Sequence, residues 1–336
     1  MSEKRVQTIA DIARLAGVSK STVSRALSDS PLIGEETKAR VRRIAQEHNF
    51  QLNVTAQRLS TRHSHTIAFV THAYHKMFNV ADLFTLEILG GISEALKENH
   101  YDLLLVYVDP CVDDWAGQHF DTGKVDGFIL MTSERKRSHM KSLLEMGAPF
   151  IAWGVQPPDA NYPSVCGDDL SGGRLATQHL IELGRRRIAF LGGPAYEREV
   201  QLRYDGYTEA LQAAGLVPEA ALTAYGDYTN TSGGVAMRQL LDQAPDLDAV
   251  FVNSDLMAIE AMKSLRAAGK RIPEDVAVVG YDNLSITEQC TPQLTTISQH
   301  INLAGRLLAK NLHQYLHTGQ VTHVTMPVEL VRRESA

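Results

Sequence analysis

At 336 residues, with 44% hydrophobic and 21% charged residues, the chain is long enough for two or three domains with sizeable cores. No apolar run approaches the roughly 18 residues of a membrane span, and the start MSEKRVQTIADIA has no apolar leader core, so a cytoplasmic protein is expected. Residues 1–62 hold 11 Lys and Arg against 6 Asp and Glu, a balance of +5 in a chain whose total is −6. The remainder therefore carries −11, and a small basic head on an acidic body suits contact with a polyanion at one end only. Cys111, Cys166 and Cys290 are far apart and form no C-x-x-C pair, which argues for reduced thiols and against a zinc site.

The first patterned stretch is TIADIARLAGVSKSTVSRAL, from Thr8 to Leu27. Ile9, Ile12, Ala13 and Ala16 share one helical face. Gly17 stands where a left-handed C-cap is needed, and Ser19 is placed to cap a second helix over about Lys20–Leu27. Val23, Ala26 and Leu27 face inward on it. Lys20, Ser21, Thr22, Ser24 and Arg25 face out; all can donate hydrogen bonds and none is acidic, so the helix can enter a major groove without repelling phosphate. A third helix follows over about Glu35–His48, with Glu35 and Glu36 favouring its dipole and Val41, Ile44 and Ala45 closing a three-helix core. Lys38, Arg40, Arg42 and Arg43 read most simply as its solvated face. Residues 53–60 are amphipathic but too short for a helix stable alone in water; the residues fit a short conditional helix or a plain linker equally.

From Thr66 apolar strand runs alternate with helical patterns: TIAFV, a helix near Leu83–Asn99, LLLVYV, GFILM, a helix at Arg137–Met146, then FIAWG. The alternation restarts with SGGRLATQHLIELG, RIAFLGG, LRYDGYTEALQAAG, LDAVFVNSD, LMAIEAMKSLRAAG and DVAVVGYDN. Two successive α/β units predict two lobes built on parallel sheets with a cleft between them. TTISQ and the helix Ile301–His317 are expected to cross back to the first lobe, and VTMPVELVRRES to close the second. Ligands in such sheets gather beyond the carboxyl ends of the strands. His72, Trp153, Gly192, Gly193, the stretch Glu197–Arg203, Tyr228, Ser254, Asp255 and Asp282 lie there. Aromatic rings, one arginine and several acid or amide groups suit a polar, ring-shaped ligand. The alternative for Asp255 and Asp282 is to cap the following helix, for Arg203 to be an ion-pair partner, and for Trp153 and Tyr228 to be core. His63, His65, His72 and His75 do not share one face of one element, so no metal is expected. No nucleophile–base pair or nucleotide fingerprint is present, since LGGPAYER is not G-x-G-x-x-G, so neither catalysis nor a cofactor is expected.

The segments IADIARLAGVSKSTVSRAL, Asn53–Leu59, GYDNL (Gly280–Leu284) and PQLTTISQ (Pro292–Gln299) resemble the LacI/GalR family of bacterial transcription regulators, over nearly the whole chain from Thr8. The resemblance implies an α/β architecture: a three-helix helix-turn-helix head and hinge helix joined to a two-lobed, periplasmic-binding-protein-like core of parallel sheets. The expected division is a head at 1–50, a hinge at 51–64, a first lobe at 65–163 and 293–322, and a second lobe at 164–292 and 323–336. It further implies a homodimeric repressor on palindromic double-stranded operator DNA, released by a carbohydrate effector. Lys20, Ser21, Thr22 and Arg25 would read bases; Thr8, Ser24, Thr37 and Asn53 would hold the backbone; Leu59 would wedge into the central minor groove, and Ser19 belongs to the same DNA-binding set. His72, Trp153, Arg203, Tyr228, Ser254, Asp255 and Asp282 would form the effector site. The chain departs from the family at Leu52, where proline is usual, and at Ser254, where sugar-binding members often have Asn. The loop FNVADLF also differs and hints at a larger ligand such as a glucoside or disaccharide. The absence of a leucine-heptad tail points to a dimer. Two alternatives stay open: a purine-like co-repressor that tightens DNA binding, and a pure sugar-binding protein.

Overall fold

The computed structural model describes residues 8–27, 29–50, 63–72, 82–108, 115–131, 137–157 and 160–336, with the side chains of residues 72 and 137–139 also outside the description. The chain divides into two units, 1–64 and 65–336.

The first unit contains α1 (Ile9–Ala16), α2 (Lys20–Leu27) and α3 (Glu35–Glu47). Thr8 opens α1 through a reciprocal capping box: its hydroxyl oxygen accepts from the Asp11 amide at 3.3 Å, while Asp11 Oδ2 accepts from the Thr8 amide at 3.2 Å. Gly17 ends α1 at φ 66°, a left-handed conformation that costs glycine least, and the turn is closed by Val18 N donating to Ala13 O at 3.0 Å. Ser19 caps α2, accepting from the Thr22 amide at 3.0 Å. Ile12, Ala13, Ala16, Val23, Ala26, Val41, Ile44 and Ala45 form one small core. Lys38 departs from the solvated face expected of it. It is buried, with its ammonium 2.8 Å from Glu35 and 3.1 Å from Asp29, which the loop before α3 brings back to it.

The second unit contains two six-stranded sheets. The first sheet is built from β1 (Thr66–His72), β2 (Asp102–Val108), β3 (Gly127–Met131), β4 (Phe150–Trp153), β5 (Ser164–Gly167) and, much later, β11 (His323–Met326), in the order β11-β5-β4-β3-β1-β2. The helices met on the way are α4 (Leu83–Glu98), the short α5 (Gly117–Phe120) and α6 (Arg137–Met146). The second sheet is built from β6 (Ile188–Gly192), β7 (Thr223–Tyr225), β8 (Ala249–Val252), β9 (Ala277–Asp282), β10 (Thr295–Ser298) and β12 (Glu329–Val331), in the order β12-β10-β9-β8-β6-β7. Its helices are α7 (Asp169–Glu182), α8 (Arg198–Ala213), α9 (Asn230–Gln243) and α10 (Asp255–Ala267); α11 (Ile301–Thr318) returns to the first sheet. Among the described residues all strand pairings are parallel except β10 with β12. Central strands such as β3 and β8 are buried along their whole length, as expected where helices cover both faces.

Three expected lobe boundaries need correction. SVCG at 164–167 is β5 and pairs with β4, so the first lobe runs past 163. TTIS pairs with β9, so 295–298 belong to the second sheet rather than the first. The last segment is two strands: β11 joins β5 in the first sheet and β12 joins β10 in the second. Short four-residue strands carry too little periodicity to be assigned to a sheet from sequence; only pairing decides.

The two lobes share a packing device. A Cβ at Gly173 of α7 would run into the carbonyl oxygen of Arg203 on α8, and one at Gly206 of α8 into that of Leu170 on α7. The α4–α11 pair repeats this, with Gly91 against Asn302 and Gly305 against Ile88. Glycine on both helices lets the backbones touch, which sets where Arg203 projects. Gly173→Ala is expected to destabilise the core by about 1–3 kcal/mol through overpacking and to lower its Tm by several degrees; an unchanged Tm in differential scanning calorimetry would refute the contact.

Candidate effector cavity and DNA-facing helix

The carboxyl ends of both sheets in the second unit meet around a cavity of about 720 Å³, counting its open mouth. The first lobe supplies the aromatic and thioether groups of Phe84, Met131 and Trp153, together with the carboxyl group of Asp82, with the Phe84 and Trp153 ring centroids 6.2 Å apart. The second lobe supplies a polar side centred on Arg203, one turn into α8.

Arg203 is buried and held by its neighbours through two of its three nitrogens. Its Nε donates to Asp169 Oδ1 at 2.7 Å and its Nη1 to the Asn253 carbonyl at 2.8 Å. The guanidinium carbon lies 3.7 Å above the Tyr281 ring, within cation–π range, and the Tyr281 hydroxyl donates to the same Asp169 oxygen at 3.3 Å. Burial works against the charged form of Asp169 and lifts its carboxyl, with the Arg203 guanidinium pulling the other way.

Asp282 ends β9 at φ 117° and Tyr228 sits at φ 65°, both in backbone regions that side-chain-bearing residues rarely occupy. Such strain persists where surrounding structure enforces it. Asp282 Oδ1 accepts from Gln299 Nε2 at 2.6 Å, and burial, then the neighbouring Asp255, pushes its carboxyl well above the usual range. The Tyr228 ring covers Gly193, where a Cβ would meet it. Burial raises its phenol.

Of the effector residues expected from sequence, Trp153, Arg203, Tyr228, Ser254 and Asp282 line the cavity. Asp255 does not line it. It is fully buried behind the wall, where Oδ2 accepts from the Leu284 amide at 2.8 Å and Oδ1 from the Thr296 hydroxyl at 2.6 Å; burial lifts its carboxyl to about 7. Its work is to hold the turn after β9, and Gly280 leaves room for it. Ser254 caps α10, accepting from the Met257 amide at 3.3 Å, while reaching the cavity. His72 ends β1, and its side chain lies outside the described residues. Sequence reasoning missed Asp82, Phe84, Asp169 and Gln299, and it did not separate Glu199 from its segment. Gln299 closes the PQLTTISQ motif and Asp169 follows an unrecognised strand. Among the described residues no group of His, Cys, Asp and Glu is arranged to hold a metal ion.

In the first unit Lys20, Ser21 and Arg25 are exposed on α2, and Thr22 and Ser24 half-exposed. Ser19 Oγ lies 2.7 Å from Ser21 Oγ and 2.8 Å from Thr22 Oγ1, so these hydroxyls already form a chain. Thr8 is exposed and donates to Asp11 Oδ2 at 2.8 Å. Thr37 stands half-exposed in the first turn of α3. Asn53 and Leu59 lie outside the described residues.

A glycine-turned helix pair whose second helix has an acid-free outer face, and a two-lobed parallel-sheet unit with a polar cavity, define a DNA-binding regulator with a small-molecule receptor. Residues 8–53 match the bacterial regulatory proteins of the lacI family, and residues 177–336 the periplasmic binding protein-like domain. The HTH-type transcriptional regulator CelR of Thermobifida fusca is 39% identical, covering 98% of this chain and 97% of that protein. The ribose operon repressor of Escherichia coli is 32% identical over 89% of this chain and 90% of its own. Two solved structures are similar: a CelR–cellobiose complex (36% identity, TM-score 0.75, 98% of this chain and 99% of that one) and a lac repressor dimer bound to operator and the anti-inducer ONPF (27% identity, TM-score 0.84, 99% of each). The chain belongs to the lacI family of bacterial transcriptional regulators.

Breaking a buried ion pair from one side costs about 3–5 kcal/mol. Arg203→Ala is expected to lose stability on that scale at pH 7. The deficit should shrink as pH falls, because protonated Asp169 needs no counter-ion; thermal unfolding between pH 5 and 8 checks both the size and the sign.

Proposed function

We propose that this protein is a homodimeric repressor whose operator affinity falls when a neutral saccharide of disaccharide size, with cellobiose the first candidate, enters the cavity. The observation that carries the reading is the two-sided cavity: aromatic and thioether groups from Phe84, Trp153 and Met131 on one wall, carboxyl, amide and hydroxyl groups around Arg203 on the other. A sugar ring has an apolar C–H face and a hydroxyl rim, and this wall chemistry matches both. The relative CelR, known as a cellobiose complex, supports the choice of first candidate.

The surface of the second unit supports a dimer. β2 is an edge strand, and its Leu105 and Tyr107 are 45% and 70% exposed. Exposed apolar edge positions favour pairing with a second copy. In the proposed assembly Lys20, Ser21, Thr22 and Arg25 read bases, Thr8, Ser19, Ser24, Thr37 and Asn53 hold phosphates, and Leu59 enters the central minor groove. Among the described residues no helix is long and apolar enough to cross a membrane, consistent with work on chromosomal DNA in the cytoplasm. The role is that of a regulator, not an enzyme. Effector in the cavity would change the angle between lobes and so the spacing of two heads.

The test is a titration of the full chain on a palindromic duplex from its own gene neighbourhood at fixed salt, with cellobiose, other mono- and disaccharides, and nucleobases. Specific binding that cellobiose weakens is the expected result; binding that appears only with a nucleobase overturns it in favour of co-repression. Arg25→Ala should cost about 1–3 kcal/mol of specific affinity. Leu59→Ala should weaken the operator complex while leaving the saccharide Kd unchanged, and loss of saccharide binding in that variant would contradict the division of labour.

A further inference from the structure

Four carboxyl groups and one guanidinium line the cavity: Asp82, Asp169, Glu199 and Asp282 with Arg203. Three of the acids have protein donors. Asp82 accepts from the Phe84 amide at 3.4 Å and the Thr85 hydroxyl at 3.3 Å. Asp169 accepts from Arg203 and Tyr281, and Asp282 from Gln299. Glu199 differs: among the described residues no other residue donates a hydrogen bond to its carboxyl group. It is the second residue of α8, one turn before Arg203, and half-buried. Arg203 has its Nε and Nη1 committed within the protein, which leaves Nη2 as the nitrogen it can turn to a ligand.

A polar group at a cavity wall with unfilled acceptor sites selects a ligand that brings donors. Saccharide hydroxyls donate; a carboxylate has no proton to donate, and a carboxylate or phosphate group adds like charge. We propose that Glu199 is the specificity-determining residue of the cavity, accepting a hydroxyl of a neutral saccharide and excluding uronic acids and sugar phosphates. The assignment rests on the carbohydrate reading above. Burial, then Glu197 and Asp169, raises the Glu199 carboxyl to about 7, with Arg203 opposing. Discrimination against anions is therefore strongest above pH 7 and relaxes as pH falls through that value.

The experiment is calorimetric titration of the full chain with cellobiose and with its C6-carboxylate analogue at pH 6 and pH 8, for wild type, Glu199→Gln and Glu199→Asp. Wild type should prefer cellobiose, more strongly at pH 8. Glu199→Gln should raise the relative affinity for the carboxylate analogue about tenfold at pH 8, and less at pH 6. Glu199→Asp, which keeps the charge but withdraws it, should weaken cellobiose binding and keep the discrimination, and it decides the matter if the Gln variant fails to fold. A wild-type ratio in Glu199→Gln at both pH values, or wild-type cellobiose affinity in Glu199→Asp, overturns the assignment alone. Wild type that binds neither saccharide while still binding operator overturns the carbohydrate reading and the assignment together.

Discussion

The Arg203–Asp169 pair is the interaction on which the receptor half of this protein depends. It is buried at 2.7 Å, and a pair so placed is tolerated only if both partners find further bonds. Each does. Arg203 reaches the Asn253 carbonyl at the end of β8 and stacks on Tyr281 in β9, while Asp169 also takes the Tyr281 hydroxyl. One guanidinium thus ties α7, α8, β8 and β9 into a single corner. The glycine contacts between α7 and α8 set the depth at which it sits. Stability and ligand geometry are coupled at this point, because the residue at the centre of the cavity's polar wall is also the one that neutralises a buried acid.

The rest of the cavity follows from the same shortage of positive charge. Asp282 is held by an amide rather than a cation, and burial raises it. Asp255 retreats behind the wall and finds a hydroxyl and an amide. Glu199 has the ligand space instead. A site with this excess of carboxyl groups favours hydroxyl donors, and its aromatic side favours a ring with an apolar face. Both demands are chemical and do not depend on which saccharide is bound.

The two lobes are variants of one plan. Each has a six-stranded sheet in corresponding order, and each has a helix pair in backbone contact through glycine. The chain passes between them after β5, after β10 and between β11 and β12. Three crossings beside the cavity make a natural place for the lobes to change their angle.

The helix-turn-helix head was legible from residue order alone, because its signals are local: a Thr8 cap, a Gly17 turn, a Ser19 cap and apolar positions three and four apart. The alternation of strands and helices was equally plain, as were Trp153, Arg203, Tyr228, Ser254 and Asp282 at strand or helix ends. What order could not decide was which sheet takes a four-residue strand; for β5, β10 and β11 only the pairing decides. Nor could it tell that Asp255 faces inward to Thr296 while Glu199, one acid among several in its segment, faces the ligand space. Local patterns record the backbone's own preferences. Which carboxyl is consumed by the protein and which is left for a ligand depends on partners tens to more than a hundred residues away, and only the folded chain brings those within bonding distance.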